Sequence, residues 1–224
     1  MAIPARGSQN GPGSAKSLVM DDLLSGYRRF RRDRWPERRR QFEILADIGQ
    51  QPRALIVSCA DSRVDPAMIF DSGPGELFVV RNVANLVPPF APDGAHHGTS
   101  AAVEFAVRIL QVPQILVMGH GLCGGVRALL ENTPAEASDF IAPWIGLAAI
   151  AKTRALARTD IPDQQLCCEQ ETIRLSMENL STFPWIESRL ATGTLRLSGA
   201  HFDIRSGELS VLGHGGHFVT VPPD

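Results

Sequence analysis

The chain has 224 residues, 44% hydrophobic and 21% charged, with 22 Lys plus Arg against 24 Asp plus Glu. That apolar content excludes a disordered chain, and a net charge of −2 gives no global pull toward nucleic acid or an anionic membrane surface. Four cysteines, at positions 59, 123, 167 and 168, are too sparse for a disulfide scaffold, and no run approaches the ~18 to 20 apolar residues of a membrane span. A globular protein with no nucleic-acid and no membrane partner is expected.

Residues 1–17 hold Pro, Gly and Ser without the apolar stretch of a secretory signal, so a flexible start is expected; a transit peptide, Arg-containing and acid-poor, stays open. Residues 18–50 read as a helical arm, bent near Pro36, with eight arginines between Arg28 and Arg40. Balanced overall charge and a single Tyr27/Phe30 aromatic pair favour a solvated arm or an oligomer contact over an RNA surface.

Residues 51–224 read as one catalytic domain. The short apolar runs 54–58, 76–80 and 114–118 fit strands covered on both faces, as in a parallel sheet. Between the second and third, Val103, Ala106, Val107 and Leu110 follow helical spacing, which makes a right-handed βαβ unit. Ala-rich helices are expected over 138–158 and 164–180, followed by a hairpin-like pair, 194–198 and 208–212. The fold class is α/β: a central, largely parallel sheet flanked on both sides by helices, with the N-terminal helical arm ahead of it.

Cys59 and Cys123 each follow a predicted strand, where ligands gather in open α/β sheets. The loops Cys59-Ala60-Asp61-Ser62-Arg63 and His120-Gly121-Leu122-Cys123, with 56 residues between them, offer two thiolates and one imidazole. That set suits zinc, because two thiolates neutralise Zn²⁺ and a fourth position remains for water or a carboxylate. Asp61 on the fourth position would close the centre; Arg63, two residues on, can hold that carboxylate in a bidentate pair and leave the position open. Glycines 119, 121, 124 and 125 are expected to let the backbone turn around the metal. Cys167 and Cys168 read as bystander thiols, and His214 and His217 as part of a surface tail rather than a second metal site.

At these residues the sequence resembles the β-class carbonic anhydrases, in their plant-like, open-site branch, whose motif is Cys-x-Asp-x-Arg followed much later by His-x-x-Cys. The resemblance extends through Pro74 to Asn85 and loosely to about Leu212. It implies reversible hydration of CO₂ to bicarbonate and a proton through zinc-bound hydroxide, with one Zn²⁺ per subunit on Cys59, His120 and Cys123. It further implies an Asp61–Arg63 dyad, and a substrate pocket of Gln50, Phe78, Val83, Phe105 and Gly124 at a dimer interface. Phe105 stands where the branch has a tyrosine, which keeps the aromatic wall and removes a hydroxyl. A homodimer is the minimal unit expected, with tetramers or larger assemblies open, and a reducing cytoplasm would keep the ligand thiols available. His96 and His97 are candidates for moving the product proton, against the plainer reading that buffer does so. Related heteroallenes such as CS₂ remain alternative substrates at this stage, and a zinc-stabilised binding domain the alternative class.

Overall fold

A computed structural model describes residues 14–131 and 135–223, and the chain falls into two units, residues 1–49 and 50–224. Residues 1–13 of the expected flexible start lie outside the described residues. In the first unit, helix α1 (Ser14–Arg29) runs through a π-helical turn (Phe30–Arg34) into α2 (Trp35–Ile48). Pro36 sits in the first turn of α2, where a missing N–H costs little. The wide turn before it closes through the Trp35 N–H to the Phe30 carbonyl, so the expected bend is a local widening. Arg32–Asp33 and Arg39–Glu43 are exposed ion pairs, and Arg31 lies over the Trp35 ring at 4.8 Å.

The second unit begins with β1 (Ala54–Cys59), the short α3 (Pro66–Ile69), β2 (Leu77–Asn82) and a 3₁₀ turn, Val83–Asn85. Then come α4 (Gly98–Glu104), a second π-helical turn (Phe105–Ile109), β3 (Gln114–His120) and α5 (Gly124–Glu131). Helices α6 (Ile141–Gly146), α7 (Ala149–Ala157), α8 (Gln164–Ser181) and α9 (Pro184–Ala191) precede strands β4 (Arg196–Phe202), β5 (Leu209–Leu212) and β6 (Phe218–Thr220). The strands form one sheet in the order β2-β1-β3-β4-β5-β6. The first four are mutually parallel, β5 runs antiparallel to β4 and β6 antiparallel to β5, so the sheet is largely parallel as the apolar runs predict. β6 and α9 were not foreseen: three strand residues are too few to show a period, although Pro184 is a fair helix-start signal. His214 and His217 are exposed in the turn joining β5 to β6.

The two faces of the sheet are unequally covered. Leu55, Val57, Ile115 and Val117 point into a core with Val103 and Val107, with Ile173 and Leu180 of α8, and with Ile186 of α9. On the other face Ala54, Ile56 and Met118 pack with Ile69, Phe70 and neighbouring strand residues. Arg53, Ile56, Phe70, Leu77 and Leu116 there border an open groove of about 450 Å³. Helical cover on both sides was expected; the alternation of strand residues does bury both faces, and among the described residues of the second unit the second face carries the short helix α3.

Helix α8 sets how closely the covered side packs. Asp163 caps it, accepting from the Gln165 and Leu166 N–H groups. Farther along, Ile173 lies in a hollow formed by two glycines: a Cβ on Gly119 would stand 2.7 Å from its Cδ1, and one on Gly199 2.7 Å from its Cγ2. Cys167 and Cys168 face the core on the opposite side of this helix's N-terminal half, both buried. Burial pushes the Cys168 thiol up to about 12, and the Cys167 thiol also upward.

Gly199→Ala should cost ~1–3 kcal/mol in denaturant unfolding, since a β-branched side chain cannot yield in a close-packed core. Gly146→Ala, where a Cβ meets nothing within 4 Å, should change stability by under ~1 kcal/mol. Thiol labelling of the native protein at mildly alkaline pH should leave Cys167 and Cys168 unmodified, and rapid modification of either would contradict their burial.

Candidate metal centre

Because β1 and β3 pair in parallel with Ser58 opposite Met118, their carboxyl ends lie at one edge of the sheet. Cys59 is the last residue of β1 and His120 the last of β3. Leu122, at φ 58°, takes the left-handed conformation, which reverses the chain and returns Cys123 beside His120. The Cys59 and Cys123 sulfurs are 3.9 Å apart, and the ligand atoms of Cys59, His120 and Cys123 all lie within 4.8 Å of one another.

The glycines serve differently from expectation. None of Gly119, Gly121, Gly124 and Gly125 has a positive φ; the left-handed residues here are Leu122, Ala84 and Asn85. Gly119 and Gly125 supply room instead, a Cβ on Gly125 falling 2.7 Å from Val83 Cγ1. Beside Gly124 the space is open.

The donor set fits a soft divalent cation. All three side chains are buried, and His120 Nδ1 donates to the Gly121 carbonyl at 2.9 Å, which leaves Nε2 as the lone-pair nitrogen. That Nε2 is buried without a hydrogen-bond partner. An orphaned buried acceptor costs about 1–3 kcal/mol, unless a metal takes the lone pair. Cys59 loses its proton readily, chiefly because its thiolate accepts from the Cys123 thiol. Cys123 is pushed the other way by the Cys59 thiolate and then by burial. The pair thus carries one negative charge easily and a second only beside a cation.

Asp61 and Arg63 lie at the rim. Arg63 Nε donates to Asp61 Oδ1 at 2.9 Å and Nη2 to Oδ2 at 2.6 Å, and the Arg63 N–H adds a third bond to Oδ1 at 3.0 Å. These bonds hold the Asp61 carboxyl far below its ordinary value. Its Oδ2 stands 3.9 Å from His120 Nε2. Arg63 Nη2 also reaches the Leu122 carbonyl at 3.2 Å.

Two further groups brace the loops, and neither was singled out from sequence. Arg81 donates to the carbonyls of Cys59 at 2.9 Å, Asp61 at 2.6 Å and Val64 at 3.1 Å, holding the Cys59–Val64 loop from β2. Glu169 of α8 accepts from the Cys123 N–H at 3.0 Å. Arg81 follows four apolar residues within β2, a signal that could have marked it; Glu169 is signalled only by lying four residues before the sheet-facing Ile173.

Of the expected pocket residues, Phe78 and Phe105 stack with ring centroids 5.8 Å apart and planes at 27°. Phe105 opens the π-helical turn after α4 and is 43% exposed, so the aromatic wall has an open side. The Val83 carbonyl is fixed by Trp144 Nε1 at 2.8 Å. Gln50 is exposed at the start of the second unit, and no described hydrogen bond ties it to the cysteines. His97 is half-buried and pairs with Asp93 at 2.7 Å.

Comparison with known proteins agrees with this geometry. The sequence model of the carbonic anhydrase family matches residues 54–209. Beta carbonic anhydrase 3 of Arabidopsis thaliana is 35% identical over 87% of this chain and 77% of its own length. The structure of the β-carbonic anhydrase CcaA superposes with a TM-score of 0.85 at 34% identity, covering 92% of this chain and 93% of that one. Tetrameric β-carbonic anhydrases from the ascomycete Sordaria macrospora give a TM-score of 0.68 at 26% identity, over 92% of this chain and 98% of theirs. With the family model spanning strands β1 to β4 and the loops after β1 and β3, the chain belongs to the β-carbonic anhydrases, lyases that reversibly hydrate carbon dioxide to bicarbonate.

Proposed function

We propose that Cys59, His120 and Cys123 hold one zinc ion per subunit and that Asp61 and Arg63 are its acid–base dyad. The observation that carries this is the buried, partnerless Nε2 of His120 beside two thiols that together favour a cation. Zinc bound there would make water nucleophilic near neutral pH by lowering its pKa. Asp61, kept ionised by Arg63, is placed to accept a hydrogen bond from a water held there and would so orient it toward CO₂. The same clamp holds Asp61 in an ion pair rather than free to act as a fourth ligand, which supports the open-site, plant-like reading.

Stacked Phe78 and Phe105, with Val83, give an apolar wall on which CO₂ displaces water without losing hydrogen bonds. Phe105 offers no hydroxyl, so bicarbonate is oriented by other donors, among which Gln50 is the proposed one. Gln50 has no tie to the site within its own chain, and the wall is open on one side; both support a pocket completed by a partner subunit, with a homodimer as minimal unit and tetramers within reach. The exposed groove on the sheet favours assembly as well. Cytoplasmic residence suits two ligand thiols that must stay reduced.

The decisive measurement is oxygen-isotope exchange between CO₂ and water. Metal-loaded wild-type protein should catalyse it, a chelator should abolish it and zinc should restore it; Cys59→Ser should lose zinc. Asp61→Asn should keep zinc and lower turnover by roughly 10²-fold or more. An Asp61→Asn variant as fast as wild type would remove Asp61 from the mechanism. Since two thiolates donate more charge than imidazoles, activity should rise with pH above neutrality, and a flat profile would contradict the ligand set. Light scattering should give a mass at least twice the 24.3 kDa of the chain.

A further inference from the structure

Glu169 is almost fully buried, 2% exposed, and no step above uses it. It lies at the N-terminal end of α8, one helical turn after Gln165. Three donors converge on its carboxylate: the Cys123 N–H at 3.0 Å and Gln165 Nε2 at 3.0 Å on Oε1, and His201 Nε2 at 3.0 Å on Oε2. Gln165 Nε2 also reaches the Cys123 carbonyl at 3.4 Å, so α8 grips the Cys123 backbone from both its N–H and its C=O. His201, on β4, is itself buried and stands opposite Gly119 in the sheet.

The Cys123 N–H belongs to the peptide unit that immediately follows left-handed Leu122 and precedes the first turn of α5. Groups at such a helix start have no intrahelical partner, and this one is buried. Its direction fixes the peptide plane from which the Cys123 Cβ and sulfur project. We propose that Glu169 is a positioning residue for the metal centre: by accepting the Cys123 N–H, with His201 and Gln165 holding its carboxylate still, it aims the Cys123 thiolate at the cation. The role depends on reach and acceptor geometry, and does not require a negative charge. The inference rests on the zinc reading above.

Two substitutions separate reach from charge. In Glu169→Gln the amide oxygen can take the Cys123 and Gln165 donors while its NH₂ serves His201 in the other tautomer, so every bond survives without the charge. Glu169→Asp keeps the charge and withdraws it by one methylene. By chelator competition, Glu169→Asp should bind zinc ~10–100-fold more weakly than wild type, while Glu169→Gln stays near it. In the cobalt-substituted proteins, the thiolate-to-cobalt charge-transfer band should shift or weaken in Glu169→Asp alone, a change that loss of fold stability by itself would not produce.

Equal zinc affinity in wild type and Glu169→Asp, or the reverse order with Glu169→Gln the weak binder, overturns the inference while leaving the metal reading intact. Wild-type protein that takes up no zinc overturns the metal reading, and this inference with it. Should Glu169→Asp fail to fold, hydrogen exchange decides instead: the Cys123 amide should exchange slowly in wild type and in Glu169→Gln, and fast exchange in either refutes the contact.

Discussion

The approach of α8 to the sheet governs both sides of the metal centre. Ile173 fills a hollow that any side chain at position 119 or 199 would occupy, so this helix lies closer to β3 and β4 than two ordinary surfaces would allow. From that depth its other side chains reach the loops. Ser176 accepts from the Val87 N–H and donates to the Asn85 carbonyl, and Asn179 donates to the Val87 carbonyl. The segment bearing Val83 and the left-handed pair Ala84 and Asn85 is therefore moored to the same helix that contacts Cys123. Packing between apolar surfaces thus places polar groups to within hydrogen-bond distance, and the chemistry depends on a fit made of methyl groups and missing ones.

Electrostatics supplies the second constraint. Two thiols, an imidazole and a carboxylate are gathered at the end of two parallel strands, where burial penalises charge. Around them the chain arranges guanidinium groups and helix-start N–H groups. Arg63 neutralises Asp61, and Arg81 donates to carbonyls of the Cys59 loop. Backbone N–H groups of Gly125 and Val126 favour the Cys123 thiolate, as expected of a residue opening a helix. What these groups leave uncompensated is the lone pair of His120 and the second thiolate charge, and a divalent cation is the one partner suited to both.

Much of this was legible in the amino-acid order. Continuous Val- and Ile-rich runs marked β1, β2 and β3; β1 and β3 are largely buried as such runs suggest, whereas β2 stands at the sheet edge and is only half-buried, so its run marked a strand without the expected cover. Cys59 and Cys123 stood out through their position after such runs. The turn between His120 and Cys123 was misread: its glycines suggested backbone freedom, whereas Leu122 carries the left-handed residue and Gly119 and Gly125 make room for neighbours. Sequence offers no local sign of that exchange, since both uses select the same residue. Glu169 was hidden for a similar reason, as a glutamate in a helix looks solvated until the opposite strand is known to bring His201 to it. The thin cover of one sheet face was equally unreadable, because apolar strand residues do not say whether a helix of the same chain lies on them.

Arg63 spans the centre in a way that its pairing with Asp61 conceals. One arm of its guanidinium grips the loop after β1, and the same Nη2 that bonds Asp61 also meets the carbonyl of Leu122 in the loop after β3. The two loops that carry the ligands are thereby tied across their mouth by a planar, rigid fork. A lysine would match the charge at this position and lack the fork. The spacing of the two loops and the position of the Asp61 carboxylate are consequently gauged by one side chain, so neither can drift without the other.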